Sequence, residues 1–195
     1  ADRRCGFFAL SNNLWCTTSD SCEELQPWEP SGAIFALWES PFESMPLLRA
    51  RQSSTAREYN GSAWKAIDGR RSSSDYSEGS CAHTLSGPSP WWSAELASLG
   101  EVAAVRVMGR SDCCPEGLHR WQVRAGADRD PWKNPPCGLW QTGDSFPLGT
   151  ALEVRCERSM PARFVGIVSV GPSALVLCEV EAYAWRGERS HRHGA

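Results

Sequence analysis

The 195-residue chain has no apolar run near the roughly 18 residues needed to cross a bilayer, which excludes a spanning helix. It has no excess of positive charge either. A formal net charge of −3 and a sequence pI near 5.8 exclude a nucleic-acid binder held by bulk charge. There is no GxSxG elbow, no HExxH pair and no phosphate-cradling glycine loop, and of four histidines two, His191 and His193, lie in the last few residues. The sequence therefore reads as non-enzymatic. No secretory leader is visible in the opening ADRRCGFFAL, so a leader, if the protein has one, is expected to have been removed or left out.

What the chain does have is nine cysteines and ten tryptophans. This density of cysteine without the CxxC pairs of zinc sites indicates an oxidising compartment, and the chain reads as secreted or extracellular. Nine is odd, so at least one cysteine is free or bonds outside the chain. Asn60-Gly61-Ser62 is the only N-glycosylation sequon and agrees with secretion.

Composition divides the chain into three zones. Residues 1–48 carry Cys5, Cys16 and Cys22 with Trp15, Trp28 and Trp38, and prolines at 27, 30, 41 and 46 cut any long helix. From residue 49 to 185, short apolar runs alternate with turn-forming clusters: VAAVRVM (102–108), WQVRA (121–125), ALEVRC (151–156), RFVGIVSV (163–170) and ALVLCEVEAYAW (174–185). Period-two runs separated by turn residues predict an all-β antiparallel sandwich, with helix limited to one turn at Ser62–Ile67. The tail 186–195 is basic and polar and reads as a disordered terminus or linker.

Two cysteine clusters offer chemistry. Cys81-Ala82-His83 brings a thiol and an imidazole to one face of a strand, but without a hydrogen bond between them it is no catalytic pair. Cys113-Cys114 either closes on itself as a rare, rigid vicinal disulfide with an apolar face, or points its sulfurs apart to pair elsewhere. Trp91-Trp92 opens a strand, WWSAEL, and reads as core and edge packing rather than a stacking platform.

The segments KAIDGR (65–70), GSCAHT (79–84), PWW (90–92), GRSDCCPEG (109–117) and LCEVEAY (177–183) occur in an order that resembles the F-type lectins, fucose-binding domains similar to discoidin and the coagulation-factor C domains. The resemblance implies a jelly roll of two antiparallel sheets with its ligand loops at one end. It implies three disulfides: Cys81 with Cys178, Cys113 with Cys114, and Cys137 with Cys156. The first closes a loop of about a hundred residues, contributing about 4–5 kcal/mol by chain entropy. The odd cysteine is then among Cys5, Cys16 and Cys22, through which a protein partner or second chain would be bonded.

The resemblance also implies a sugar site. His83 and Arg110 take the places of the family's histidine and first basic ligand, Asp112 orients the arginine, and Cys113-Cys114 supplies an apolar platform. A guanidinium fork donates to adjacent hydroxyls, and imidazole gives or accepts a third bond. One position departs: where the family has a second Arg or Lys, this chain has Gly117. Loss of one charge-assisted bond weakens binding about ten- to a hundredfold; His119 and Arg120 are candidates to fold back and substitute, but a change of three positions moves a side chain by about 10 Å, which argues against rescue. Finally, the resemblance implies a structural calcium held by side chains of Asp68, Ser80 and Glu179 and carbonyls of Lys65, Arg70 and Cys178, an oxygen set that suits the ion. Lys65, Arg70 and Arg71 are departures, and an ammonium is an alternative occupant.

Two functions follow. One is a secreted lectin that binds a fucosylated glycan or glycoprotein. The other is a lectin fold without sugar binding, serving adhesion or assembly through the N-terminal segment.

Overall fold

The computed structural model describes residues 7–10, 16–19, 33–36, 41–70, 79–112, 114, 118–142 and 151–186. Cys5, Cys22, Trp15, Trp28, Trp38, Arg71 and residues 187–195 lie outside these. The chain divides into two units, Ala1–Pro41 and Phe42–Ala195. In the first, β1 (Phe7–Leu10) pairs antiparallel with both β2 (Cys16–Ser19) and β3 (Ala33–Ala36), giving the order β2-β1-β3.

The second unit is built on two long antiparallel strands, β7 (Trp91–Met108) and β10 (Ala151–Ser169), which pair from Trp91↔Val168 to Met108↔Ala151. Their ladder breaks between Arg155 and Met160 and between Ala162 and Phe164, and the facing stretch of β7, residues 97–101, is largely exposed. Such breaks bend and twist a strand. The first half of β7 is flanked by β5 (Leu47–Gln52) and its second half by β12 (Glu179–Trp185), while the last part of β10 is flanked by β8 (Trp121–Gly126). β9 (Pro136–Gln141) forms an edge beside β8 and β4 (Phe42–Met45) an edge beside β12, and β5, paired with β7 alone, forms another. Bent in this way, one sheet supplies both layers of a β-sandwich.

The core follows from the period-two pattern. Trp92, Ala94 and Leu96 from the first half of β7 meet Val105 and Val107 from the second, Val165 and Ile167 from β10, and Val180 and Ala182 from β12 in one buried cluster. Trp92 is fully buried, and its indole N–H donates to the Ala63 carbonyl at 2.9 Å. That bond ties the core to a 3-10 turn at Ala63–Ile67, where the sequence places its single turn.

Residues 42–48 belong to this unit: β4 pairs with β12 and β5 begins at Leu47, so the body starts before the composition boundary at residue 49. Two disulfides with both cysteines among the described residues fasten it. Cys137–Cys156 joins β9 to β10, and Cys81–Cys178 links positions 97 residues apart.

Candidate functional site

The ladder of β6 (Ala82–His83) with β11 (Val176–Leu177) sits beside the end of β7. The Cys178 N–H donates to the Met108 carbonyl at 2.9 Å, and Cys178 is bonded to Cys81. His83, two residues after Cys81, and Arg110, two residues after Met108, are thereby brought to one end of the sandwich.

His83 is held on both sides of its backbone. One side pairs with Val176; on the other, its N–H donates to Gly61 O at 2.9 Å, and its carbonyl accepts from Ala56 N at 2.9 Å and from the Gln52 side-chain amide at 3.1 Å. The loop at 56–61 approaches so closely that a Cβ at Gly61 would lie 2.5 Å from the His83 Cβ, so this contact requires glycine. The imidazole is half-buried. Burial, and then the positive charge of Arg110, hold its pKa below the usual histidine value, while Glu58 acts in the opposite sense. His83, Arg110 and Glu58 therefore share one electrostatic environment. Glu58 lies in the 3-10 turn Arg57–Tyr59 and was not singled out by motif; its place emerges only when the turn packs beside β6.

Arg110 is locked to Asp112 by two parallel bonds, Nε to Oδ1 at 2.9 Å and Nη2 to Oδ2 at 2.7 Å. The guanidinium side chain is only 11% exposed. A planar fork held this way presents its donors in a fixed direction. Cys114 follows with a left-handed φ of 63° and is disulfide-bonded. Cys113 and Gly117, half of the expected platform and the departing ligand position, lie outside the described residues. Arg120 is exposed, and its carbonyl accepts from Val170 N and Ser169 Oγ.

The residues expected to hold calcium also converge. The Glu179 carboxylate is buried and accepts from Gly69 N at 3.2 Å; Asp68 Oδ1 accepts from Arg70 N at 2.9 Å; and Ser80, also buried, lies beside Cys81. Buried carboxylate, hydroxyl and turn carbonyls suit a hard cation. Among the described residues, however, no three His, Cys, Asp or Glu side chains are placed together as a metal cluster. Lys65 is buried too, and its ammonium donates to the carbonyl of Gly79, whose left-handed φ of +65° and absent Cβ leave room for it. Burial lowers the Lys65 pKa, Asp68 opposes that and Arg70 adds to it. Asn60, the glycosylation candidate, is exposed in a left-handed turn with φ 50°.

Residues 65–167, about half of the chain, match the family model of the F5/F8 type C domains described as NedA-like, galactose-binding. The chain belongs to the F5/F8 type C family, with the discoidin-like fold of the F-type lectins. Fucolectin-1 of Anguilla japonica is 35% identical over 121 residues, which cover 61% of this chain and 66% of that protein. The solved fucolectin from striped bass (Morone saxatilis) serum superposes with a TM-score of 0.66 at 30% identity, over 73% of this chain and 49% of that one. The lectin domain of Lectinolysin, solved in complex with Lewis B antigen, gives a TM-score of 0.57 at 30% identity, over 69% of this chain and 90% of that domain. The chain thus spans just under two thirds of the eel fucolectin and about half of the striped bass chain. Among the described residues no helix is long and apolar enough to cross a membrane.

Proposed function

We propose that the domain recognises fucose on secreted or cell-surface glycans through His83 and Arg110, without catalysis. The observation that carries this reading is the convergence of the two side chains at one end of the sandwich, with Arg110 held in a bidentate grip by Asp112. The resemblance to proteins named fucolectins, and to a domain solved with Lewis B antigen, supports it. The disulfides Cys81–Cys178 and Cys137–Cys156 support an oxidising, extracellular setting. Calcium, held by Asp68, Ser80 and Glu179 with neighbouring carbonyls, would brace the loop that leads into Cys81; Lys65 competes for the same space.

A glycan array probed with the domain displayed multivalently tests the reading. Single monosaccharide sites are weak, and display of many copies raises apparent affinity. Fucosylated glycans are expected to bind, and the signal to vanish in His83→Ala and in Arg110→Ala. A blank array from folded protein overturns the reading and leaves assembly through the N-terminal segment. Gly117→Arg then separates a degenerate site from no site, since restoring the second basic ligand should create fucose binding.

A further inference from the structure

A second cluster lies on β5, β7 and β10 and plays no part in the sugar site. Glu95 on β7 has a side chain only 12% exposed, and it accepts from Arg163 Nε and Nη2 at 3.1 and 2.8 Å and from Arg49 Nη1 at 3.2 Å. The hydrogen bonds from Arg163 are the main reason its carboxyl is held below the usual range, with Arg49 and Arg129 adding to the effect. Beside this cluster lies a cavity of about 60 Å³ lined by Arg49, Arg51, Arg129, Ser93, Glu95 and Phe164; Arg163 grips Glu95 from outside that lining.

The charge there exceeds what the carboxylate needs. Arg163 and Arg49 already compensate Glu95, yet Arg51 and Arg129 also face the cavity, and neither has a hydrogen-bonded or ion-paired side-chain partner among the described residues. The nearest acids on the Arg129 loop are engaged: Asp128 lies 3.9 Å from Lys133, and Asp130 accepts from Trp132 N. Four guanidinium groups thus gather around one carboxylate in a chain whose net charge is −3; all four are exposed, so water rather than protein solvates the two that Glu95 does not engage. The backbone is also unusual. The β5–β7 register breaks between Leu48 and Arg51, and Arg49 inside that break adopts a left-handed φ of 47°. Bulges re-aim side chains, and strain of this sort gathers at functional positions.

We infer that this cavity is a second ligand site, which takes the sulfate ester of an acidic glycan on the forks of Arg51 and Arg129. The chemistry is that of an oxyanion recognised by several planar guanidinium groups. The cavity is small and opens to solvent, so the remainder of the ligand lies on the surface, where Arg49 and Arg163 are largely exposed. A glycan as carrier follows from position. Gln52, the residue after Arg51, donates to the Gly61 and His83 carbonyls, so the strand that supplies Arg51 runs into the sugar site, while Arg129 comes from the loop after β8. Only the choice of carrier rests on the proposed carbohydrate function; the oxyanion does not.

The test uses the full chain and a heparin-derived octasaccharide, its desulfated counterpart and inorganic sulfate, titrated by calorimetry at about 150 mM salt, where long-range surface attraction is screened. The sulfated octasaccharide is expected to bind, the desulfated one not, and the double variant Arg51→Gln, Arg129→Gln to lose at least about tenfold in affinity. Arg49 and Arg163 remain in that variant, so Glu95 stays paired; an unchanged melting temperature and unchanged fucose binding are expected and separate this site from the first. No binding of the sulfated octasaccharide, equal binding of its desulfated form, or full binding by a folded double variant overturns the proposal. Binding of inorganic sulfate without the octasaccharide overturns the glycan as carrier.

Discussion

Arg110 and Asp112 are joined by two hydrogen bonds, at 2.9 and 2.7 Å, across a single intervening residue. The arginine is the more sheltered of the two, so Asp112 serves as its counter-ion as well as its orienting group. Asp112→Asn keeps the volume and one acceptor but loses the charge and the second acceptor. Fucose affinity is expected to fall about tenfold, the cost of a misdirected charge-assisted contact, with only a small change in melting temperature because the loop is partly exposed. Calorimetric or array titration of the folded variant checks this; undiminished binding would show that Arg110 is oriented by something else.

The shared field of His83, Arg110 and Glu58 makes a prediction about pH. Because burial and Arg110 lower the His83 pKa, the unfolded chain takes up the proton at the ordinary value near 6.5 and the folded chain only at more acidic pH. Between the two the unfolded state binds more protons, so stability falls as pH is lowered through this window and is fully present above it. Neutral imidazole is both donor and acceptor, whereas imidazolium only donates. Fucose affinity is therefore expected to stay level from about pH 8 through the ordinary imidazole range and to drop below it. Arg110→Met should raise the His83 midpoint in an NMR titration and Glu58→Gln should lower it. Midpoints that do not move in either variant contradict the shared field.

Gly61 offers a steric test of the same site. An added Cβ would meet the His83 Cβ at 2.5 Å and the His83 carbonyl oxygen at 2.9 Å; the oxygen belongs to a backbone clamped by hydrogen bonds, and the Cβ is fixed directly to it. Gly61→Ala should cost about 1–3 kcal/mol of stability, as overpacking does, and should displace His83 enough to abolish fucose binding. Gly69, at φ +79° with nothing within 4 Å of an added Cβ, is the control: Gly69→Ala should cost only backbone strain, about 1–2 kcal/mol, and leave His83 in place. Thermal melts of the two variants, with binding measured on each, separate the mechanisms.

The strands were legible because their chemistry is local. The alternation in VAAVRVM, WQVRA and RFVGIVSV places Val105, Val123 and Ile167 on one buried face whatever surrounds them. The pairings Cys81–Cys178 and Cys137–Cys156 were not legible from spacing, and came only through the order of family motifs. Phe42–Met45, fenced by Pro41 and Pro46, read as part of an irregular N-terminal zone; its strand character arises from pairing with β12, about 140 residues away, which no local pattern records. Glu58 was missed for the same reason. A carboxylate in an exposed turn looks like ordinary solvated surface until the turn is seen against His83. The cluster of Arg49, Arg51, Arg129 and Arg163 is likewise assembled by the sheet from scattered residues.

The cradle formed by Asp68, Glu179 and the Gly79–Ser80 turn contains an ammonium of its own in Lys65, and this sets up a competition that melting experiments can read. Calcium in the cradle would add a dication near the Lys65 ammonium, which already interacts with Asp68, and like-charge repulsion would weaken the ion's hold. Calcium in excess is expected to raise the melting temperature of the wild-type protein and a chelator to lower it; at a hundredfold excess over the dissociation constant the gain is about 2.7 kcal/mol. Lys65→Met removes the competing charge but keeps most of the buried stem, so it should enlarge the difference between calcium and chelator. Asp68→Asn and Glu179→Gln should reduce it. A melting temperature that ignores calcium in the wild type, and responds to it only in Lys65→Met, would identify the lysine as the resident cation. Indifference in both proteins would remove calcium from the account of this fold.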